Sequence, residues 1–139
     1  MKNIGIYSGI VVHGLQNGRL INFPTANINI ESFKIKNDFG VYMAVVEYDK
    51  NMYLGIANFG HHPTESKLLA PILETYILNF DEDLYGKIIN VYLIKFLRGE
   101  KKFDSLKELK KQIEKDKIFV LENYDQYIND ILLNNMPQK

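Results

Sequence analysis

Thr25 and Asn27 stand two residues apart, just after Pro24. Proline removes a backbone donor and fixes its own φ, and it pushes Phe23 away from helical geometry. The chain therefore enters Thr25 extended, where residues two apart share a face. A hydroxyl and an amide carbonyl on one face are oxygen ligands that a hard cation such as Mg²⁺ accepts, above all beside a phosphate. The same pair also fits a plain strand start with a turn-forming Thr and Asn. Glu74 is the second candidate, a carboxylate inside the apolar stretch Ile72 to Phe80. In an apolar wall, partial desolvation raises its proton affinity and suits it to general-base work. On the wet face of an antiparallel sheet it is an ordinary solvated residue. Third comes the segment His13 to Arg19, with Gly14, Gly18 and Arg19. It can offer backbone N–H groups and one cation to a phosphate chain, or serve as an exposed hairpin loop. No G-x-x-x-x-G-K-[ST] pattern occurs, so any nucleotide is handled without a P-loop. His61 and His62 are adjacent, and neighbours in an extended chain point to opposite faces. With no third ligand at a recognisable spacing, a metal reading of this pair is set aside.

The chain bounds what these groups can belong to. Its 139 residues suffice for one domain with a core. Hydrophobic residues make up 46% and aromatics 12%, which excludes a disordered segment. No apolar run approaches the ~20 residues of a membrane span, and the start at Met1-Lys2-Asn3 carries no signal-peptide pattern. Cysteine is absent, so there is neither a disulfide framework nor a thiolate metal site, and a cytoplasmic location fits. A formal net charge of zero argues against a broad nucleic-acid surface and leaves room for a local patch holding one small phosphorylated ligand.

The elements that must position the candidates are short. Ile4 to Val12 reads as a strand with Ile4, Ile6, Ser8, Ile10 and Val12 on one face and Gly5 and Gly9 on the other. Ala26 to Ile30 is a second strand, and Glu31 to Phe39 is irregular. Gly40 to Tyr48 is apolar on both faces; a turn at Asp49-Lys50-Asn51 returns it as Met52 to Asn58. Ile72 to Phe80 and Lys87 to Arg98 follow, the latter with Ile89, Val91, Leu93 and Leu97 on one face. Ser105-Leu106-Lys107-Glu108 is a capping box that opens a helix with Leu106, Leu109, Ile113 and Val120 on its apolar side. Tyr124 to Leu133 reads as a second short helix with Tyr127, Ile128 and Ile131 facing inward. Strands first and helix last predict a mainly β fold, a small antiparallel barrel with an appended helix.

Taken in order, these segments resemble one family. The series is Gly14, Gly18-Arg19, Phe23-Pro24-Thr25-Ala26-Asn27, Gly40-Val41-Tyr42, Asn58-Phe59-Gly60 with Pro63-Thr64, Leu73-Glu74-Thr75, Asp83-Leu84-Tyr85-Gly86 and Leu97 to Leu106. Each motif is weak alone, but the ordered set resembles riboflavin kinase from about Ile4 to about Val120. The resemblance implies a six-stranded antiparallel Greek-key β-barrel over about 4–98 and a helical part over about 105–133, within a single domain of 1–139. It implies transfer of the γ-phosphate of ATP to the 5′-hydroxyl of riboflavin, giving FMN and ADP.

Carried over by motif, Thr25 and Asn27 would hold Mg²⁺. Gly14 and Arg19 would belong to a flap over the nucleotide phosphates, and Ile77, Asn79 and Tyr85 would line the ATP site. Glu74 would be the base, and Arg98, Lys101 and Phe103 would meet the flavin. Two departures stand out: Asn22 where the family has Gly, and His62 where many bacterial members have Arg. The resemblance further implies small-molecule partners only, with no nucleic acid and no membrane, a monomer, and a chain that makes FMN but not FAD. The alternative is a non-catalytic flavin-binding module on the same fold.

Overall fold

The computed structural model describes residues 5–12, 25–60 and 71–135, with side chains to residue 128. Six strands form one antiparallel sheet: β1 (Gly5–Ile10), β2 (Thr25–Asn29), β3 (Gly40–Tyr48), β4 (Asn51–Gly60), β5 (Ile72–Ile77) and β6 (Ile88–Arg98). They run in the order β1-β6-β3-β4-β5-β2. The sheet curls into a half-barrel. Its edge strands approach where the Val12 N–H donates to the Asn27 carbonyl at 2.8 Å. One helix, α1 (Leu106–Asn135), follows the strands. The mainly β architecture with a C-terminal helix is therefore as read.

The curl has two apolar sides. Inside lie Ile28, Val46, Phe59, Leu73 and Val91 among others. Outside, Met43, Val45, Ile56 and Ile94 pack against Ile113 and Val120 of α1. This explains why β3 is apolar on both faces: one faces the inner core and the other the helix. The β3–β4 hairpin turns through Asp49 and Lys50, both at positive φ, as a two-residue loop requires. The irregular segment before β3 is tied down by tyrosines. Tyr7 Oη donates to Asn37 Oδ1 at 2.7 Å, and Tyr42 Oη donates to the Asp38 carbonyl at 2.6 Å.

Two local expectations change, in β6 and in the helix, and the faces of β1 are now assigned. In β1 the isoleucine face is the outer one, with Ile6 47% and Ile10 57% exposed, while Tyr7 and Val11 are buried in the core. The inner face is the one bearing the glycines, because Gly9 passes so close to Ile28 that a Cβ would sit 3.3 Å from it. In β6, register shifts opposite Val41/Tyr42 and Met43/Ala44 break the alternation, so Leu97 packs on the outer, helix-side cluster instead of joining Leu93. The two expected helices are one. Neither Gly nor Pro interrupts 106–135, and Asn123 Nδ2 donates back to the Phe119 carbonyl at 2.8 Å without breaking the helix.

The cap reads correctly at its first half: the Glu108 N–H donates to Ser105 Oγ at 3.2 Å. Ile113 is 2% exposed between helix and sheet. Ile113→Ala should cost about 2–5 kcal/mol in urea unfolding, whereas Leu121→Ala, on the exposed side of the same helix, should stay within about 0.5 kcal/mol.

Candidate active site

Antiparallel pairing places directly opposed residues on one face. Asn27 pairs with Glu74, Glu74 with Asn58, Asn58 with Val41, and Val41 with Arg98. A single row therefore crosses β2, β5, β4, β3 and β6 on the outer face of the curl. Above this row lies a cavity of about 770 Å³, roofed by the start of α1 and by residues 100–105. Its lining includes all five residues of the row, with Tyr76, Lys101, Phe103 and Asp116.

Glu74 occupies the middle of the polar end of the row. It lies partly buried between two neutral amides, and loss of water raises its pKa from 4.5 to about 7. Tyr76, two residues on and on the same face, has its hydroxyl pKa raised by burial and by the Glu74 charge, with Arg98 opposing. At the other end, the Arg98 guanidinium grips Asp116 of α1, with Nη2 to Oδ2 at 2.9 Å and Nε to Oδ1 at 3.4 Å. Gln112 also donates to Asp116 Oδ1, at 3.1 Å. Arg98 and Lys101 both lie over the Phe103 ring, at 5.8 and 5.5 Å from its centroid. A flat aromatic surface with two cations is thus built beside the helix start.

Of the residues singled out in the sequence, Asn27, Glu74, Arg98, Lys101 and Phe103 meet at this cavity. Thr25 lies on the same strand and face as Asn27, opposite Tyr76, just beyond the lining. Ile77, Asn79 and Tyr85 lie apart from it. Ile77 faces the inner core, Asn79 takes φ 55 in the turn after β5, and Tyr85 is exposed in the turn before β6. Gly14, Arg19, Asn22 and His62 lie outside the described residues. Sequence reasoning gave no role to Asn58 or Asp116. Asp116 had left a signal: it falls within the apolar seam of Leu109, Ile113 and Val120, where a lone carboxylate needs a partner.

Comparison with known proteins agrees with this architecture. The riboflavin kinase family model matches residues 4–123, and the chain belongs to that family. The bifunctional riboflavin kinase/FMN adenylyltransferase of Bacillus subtilis is 40% identical over 111 residues, 78% of this chain and 35% of that protein. The chain spans little more than a third of the length of the first curated relatives it matches. A crystal structure described as a macrolide-efflux protein from Streptococcus pneumoniae superimposes with TM-score 0.74 at 33% identity, covering 85% of this chain and 38% of that one. The riboflavin kinase of Trypanosoma brucei shares the fold, with TM-score 0.63 at 24% identity over 99% of this chain and 93% of that one. No helix among the described residues is long and apolar enough to cross a membrane.

The raised pKa of Glu74 has a sign. Between about pH 4.5 and 7 the folded state holds a proton that the unfolded state has lost, so stability falls as pH rises through this window. Urea unfolding of the wild-type chain and of Glu74→Gln should diverge there. The variant gains relative stability as pH increases, by on the order of 3 kcal/mol at most above pH 7.

Proposed function

We propose that this chain is a riboflavin kinase that moves the γ-phosphate of ATP to the 5′-hydroxyl of riboflavin, giving FMN and ADP. The observation that carries the reading is the placement of Glu74. It is a carboxyl of raised proton affinity at the wall of a cavity whose other end offers Phe103 and Arg98 to a flat heterocycle. Membership of the family and the relatives' names support it.

Phosphoryl transfer needs positioning and charge neutralisation more than covalent help. Glu74 accepts the hydrogen bond of the 5′-hydroxyl, orients the oxygen, and takes its proton as the new bond to the γ-phosphorus forms and the bond from that phosphorus to the departing ADP oxygen breaks. The proton then leaves to water. The roof of α1 and residues 100–105 keeps water from the transferring group. Phe103 packs on the isoalloxazine while Arg98, held in place by Asp116, keeps the ring edge in register.

Thr25 and Asn27 fit the magnesium that the family implies. They lie on one face of β2 and present a hydroxyl and an amide oxygen, hard donors that leave positions for phosphate oxygens. No cluster of three or more His, Cys, Asp or Glu occurs among the described residues, so phosphates would supply most of the negative charge. Bound there, Mg²⁺ would neutralise charge on the nucleotide phosphates. The Asn79 turn and Tyr85 are assigned to the ATP site, and Gly14 and Arg19 to the phosphate flap, whereas Ile77, buried in the inner core, is not. The chain works as a monomer in the cytoplasm on small molecules alone.

Incubation of the purified chain with riboflavin, ATP and Mg²⁺ should give FMN by chromatography, and EDTA should abolish it. Flavin binding without turnover would replace the kinase reading by a flavin-binding module. The profile of kcat/KM should fall below about pH 7, as Glu74 takes up its proton. Glu74→Gln should lose that limb and lower kcat by about 10²-fold or more, with flavin affinity little changed. Thr25→Ala and Asn27→Ala should raise the Mg²⁺ concentration needed for half-maximal rate, and unchanged Mg²⁺ dependence in both would remove the metal assignment.

A further inference from the structure

One polar atom at the cavity is unexplained. Asn58 Oδ1 is buried, and among the described residues it has no hydrogen-bond partner. Leaving such a group unpaired costs more than a hydrogen bond gains, so a native structure rarely does so without a reason. Next to Asn58 in the row lies Glu74, which in the ionised form that acts as base can only accept, and Val41 on the other side of Asn58 offers nothing polar. The amide oxygen is an acceptor only, so what completes it must donate. Phosphate oxygens cannot do so; a hydroxyl can.

The order of the row gives the donor a place. From Asn27 to Arg98 it crosses four strand-to-strand steps, about 19 Å at the usual spacing of ~4.8 Å. If Glu74 holds the terminal hydroxyl and Phe103 and Arg98 hold the ring, the chain between them crosses over Asn58 and Val41. We propose that Asn58 is a specificity-determining residue whose Oδ1 accepts a hydrogen bond from an inner hydroxyl of the ribityl chain. This rests on the kinase reading for the identity of the flavin. It adds that the enzyme recognises the polyol and does more than tether a ring and a reactive end. Val41 supplies an apolar floor beside it, so the polar contact is confined to the half of the chain near Glu74.

The test compares riboflavin with a flavin carrying a 5-hydroxypentyl chain on N10, which keeps the terminal hydroxyl and lacks the inner ones. The wild-type chain should favour riboflavin by roughly tenfold or more in kcat/KM. Asn58→Leu, of similar size, should lose about tenfold on riboflavin and less than twofold on the analogue, so that the preference disappears. Asn58→Ser, which keeps a shorter acceptor, should fall between them. Equal losses on both flavins would place Asn58 with Glu74 or with the fold and overturn the proposal. So would a wild-type chain that does not discriminate, a result that holds even if Asn58→Leu fails to fold. If the wild type phosphorylates neither flavin, the kinase reading fails. Fluorescence quenching then decides for Asn58 separately: a preference for riboflavin that Asn58→Ser weakens keeps it, and equal or absent binding of the two flavins ends it.

Discussion

Asn27, Glu74, Asn58, Val41 and Arg98 come from five strands, and only the pairing register puts them in line. A strand has a side-chain period of two, so a slip of one residue in any pair turns a site residue to the other face. A slip in β5 would present Leu73 or Thr75 to the cavity and push the Glu74 carboxyl into the inner core. The next level of the sheet prevents this. Ile28, Leu73 and Phe59 pair across β2, β5 and β4 and are wholly buried inside the curl. Exposing three such side chains would cost several kcal/mol, at about 1.5–3 kcal/mol each. The same level ends at Gly40, where a side chain has no room, because a Cβ would lie 2.7 Å from the Arg98 carbonyl. The inner core thus holds the outer row in register, although none of its residues lines the cavity.

The flavin end depends on an irregularity. Regular pairing onward from Ala44 and Leu93 would leave Arg98 beyond the reach of Val41. Two extra residues in β6, Ile94 and Leu97, shift the strand twice, and both pack on the helix side. Two shifts restore the face, so Arg98 arrives in the row with its side chain toward α1. There Asp116 closes the pair across the seam. The helix therefore contributes more than cover: it fixes the guanidinium from the opposite wall.

Much of this was legible in the sequence because burial leaves clear marks. A strand apolar on both faces, Gly40 to Tyr48, had to be covered twice, and it is. Glu74 was visible as a carboxylate in apolar surroundings, and Asn27 by its spacing from Thr25 after Pro24. Asn58 was not, since an amide after Ile56 and Ala57 signals little until β4 is known to pair with β5, and pairing between distant strands leaves no local trace. The alternation of β1 was legible, but not which of its two faces turns inward. A Cβ at Gly9 would crowd Ile28 at 3.3 Å, so the inner face is the one that looks weaker. The long helix was read as two because the apolar seam is broken by Asp116 and Asn123, polar residues that do not end a helix.

Glu74 also raises a question of electrostatics, since Arg98 and Lys101 line the same cavity and a nearby cation lowers a carboxyl's proton affinity. Burial nonetheless governs. Arg98 has its charge engaged by Asp116, and Lys101 is exposed at Phe103, where water screens it. The residues beside Glu74 in the row are amides, which carry no net charge. Separation of the cations from the base by an apolar step, Val41, therefore preserves the basicity that accepting an alcohol proton requires. A lysine at position 58 would remove it. The cost is a folded state that must strip water from a carboxyl, and the inner core has the burial to sustain it.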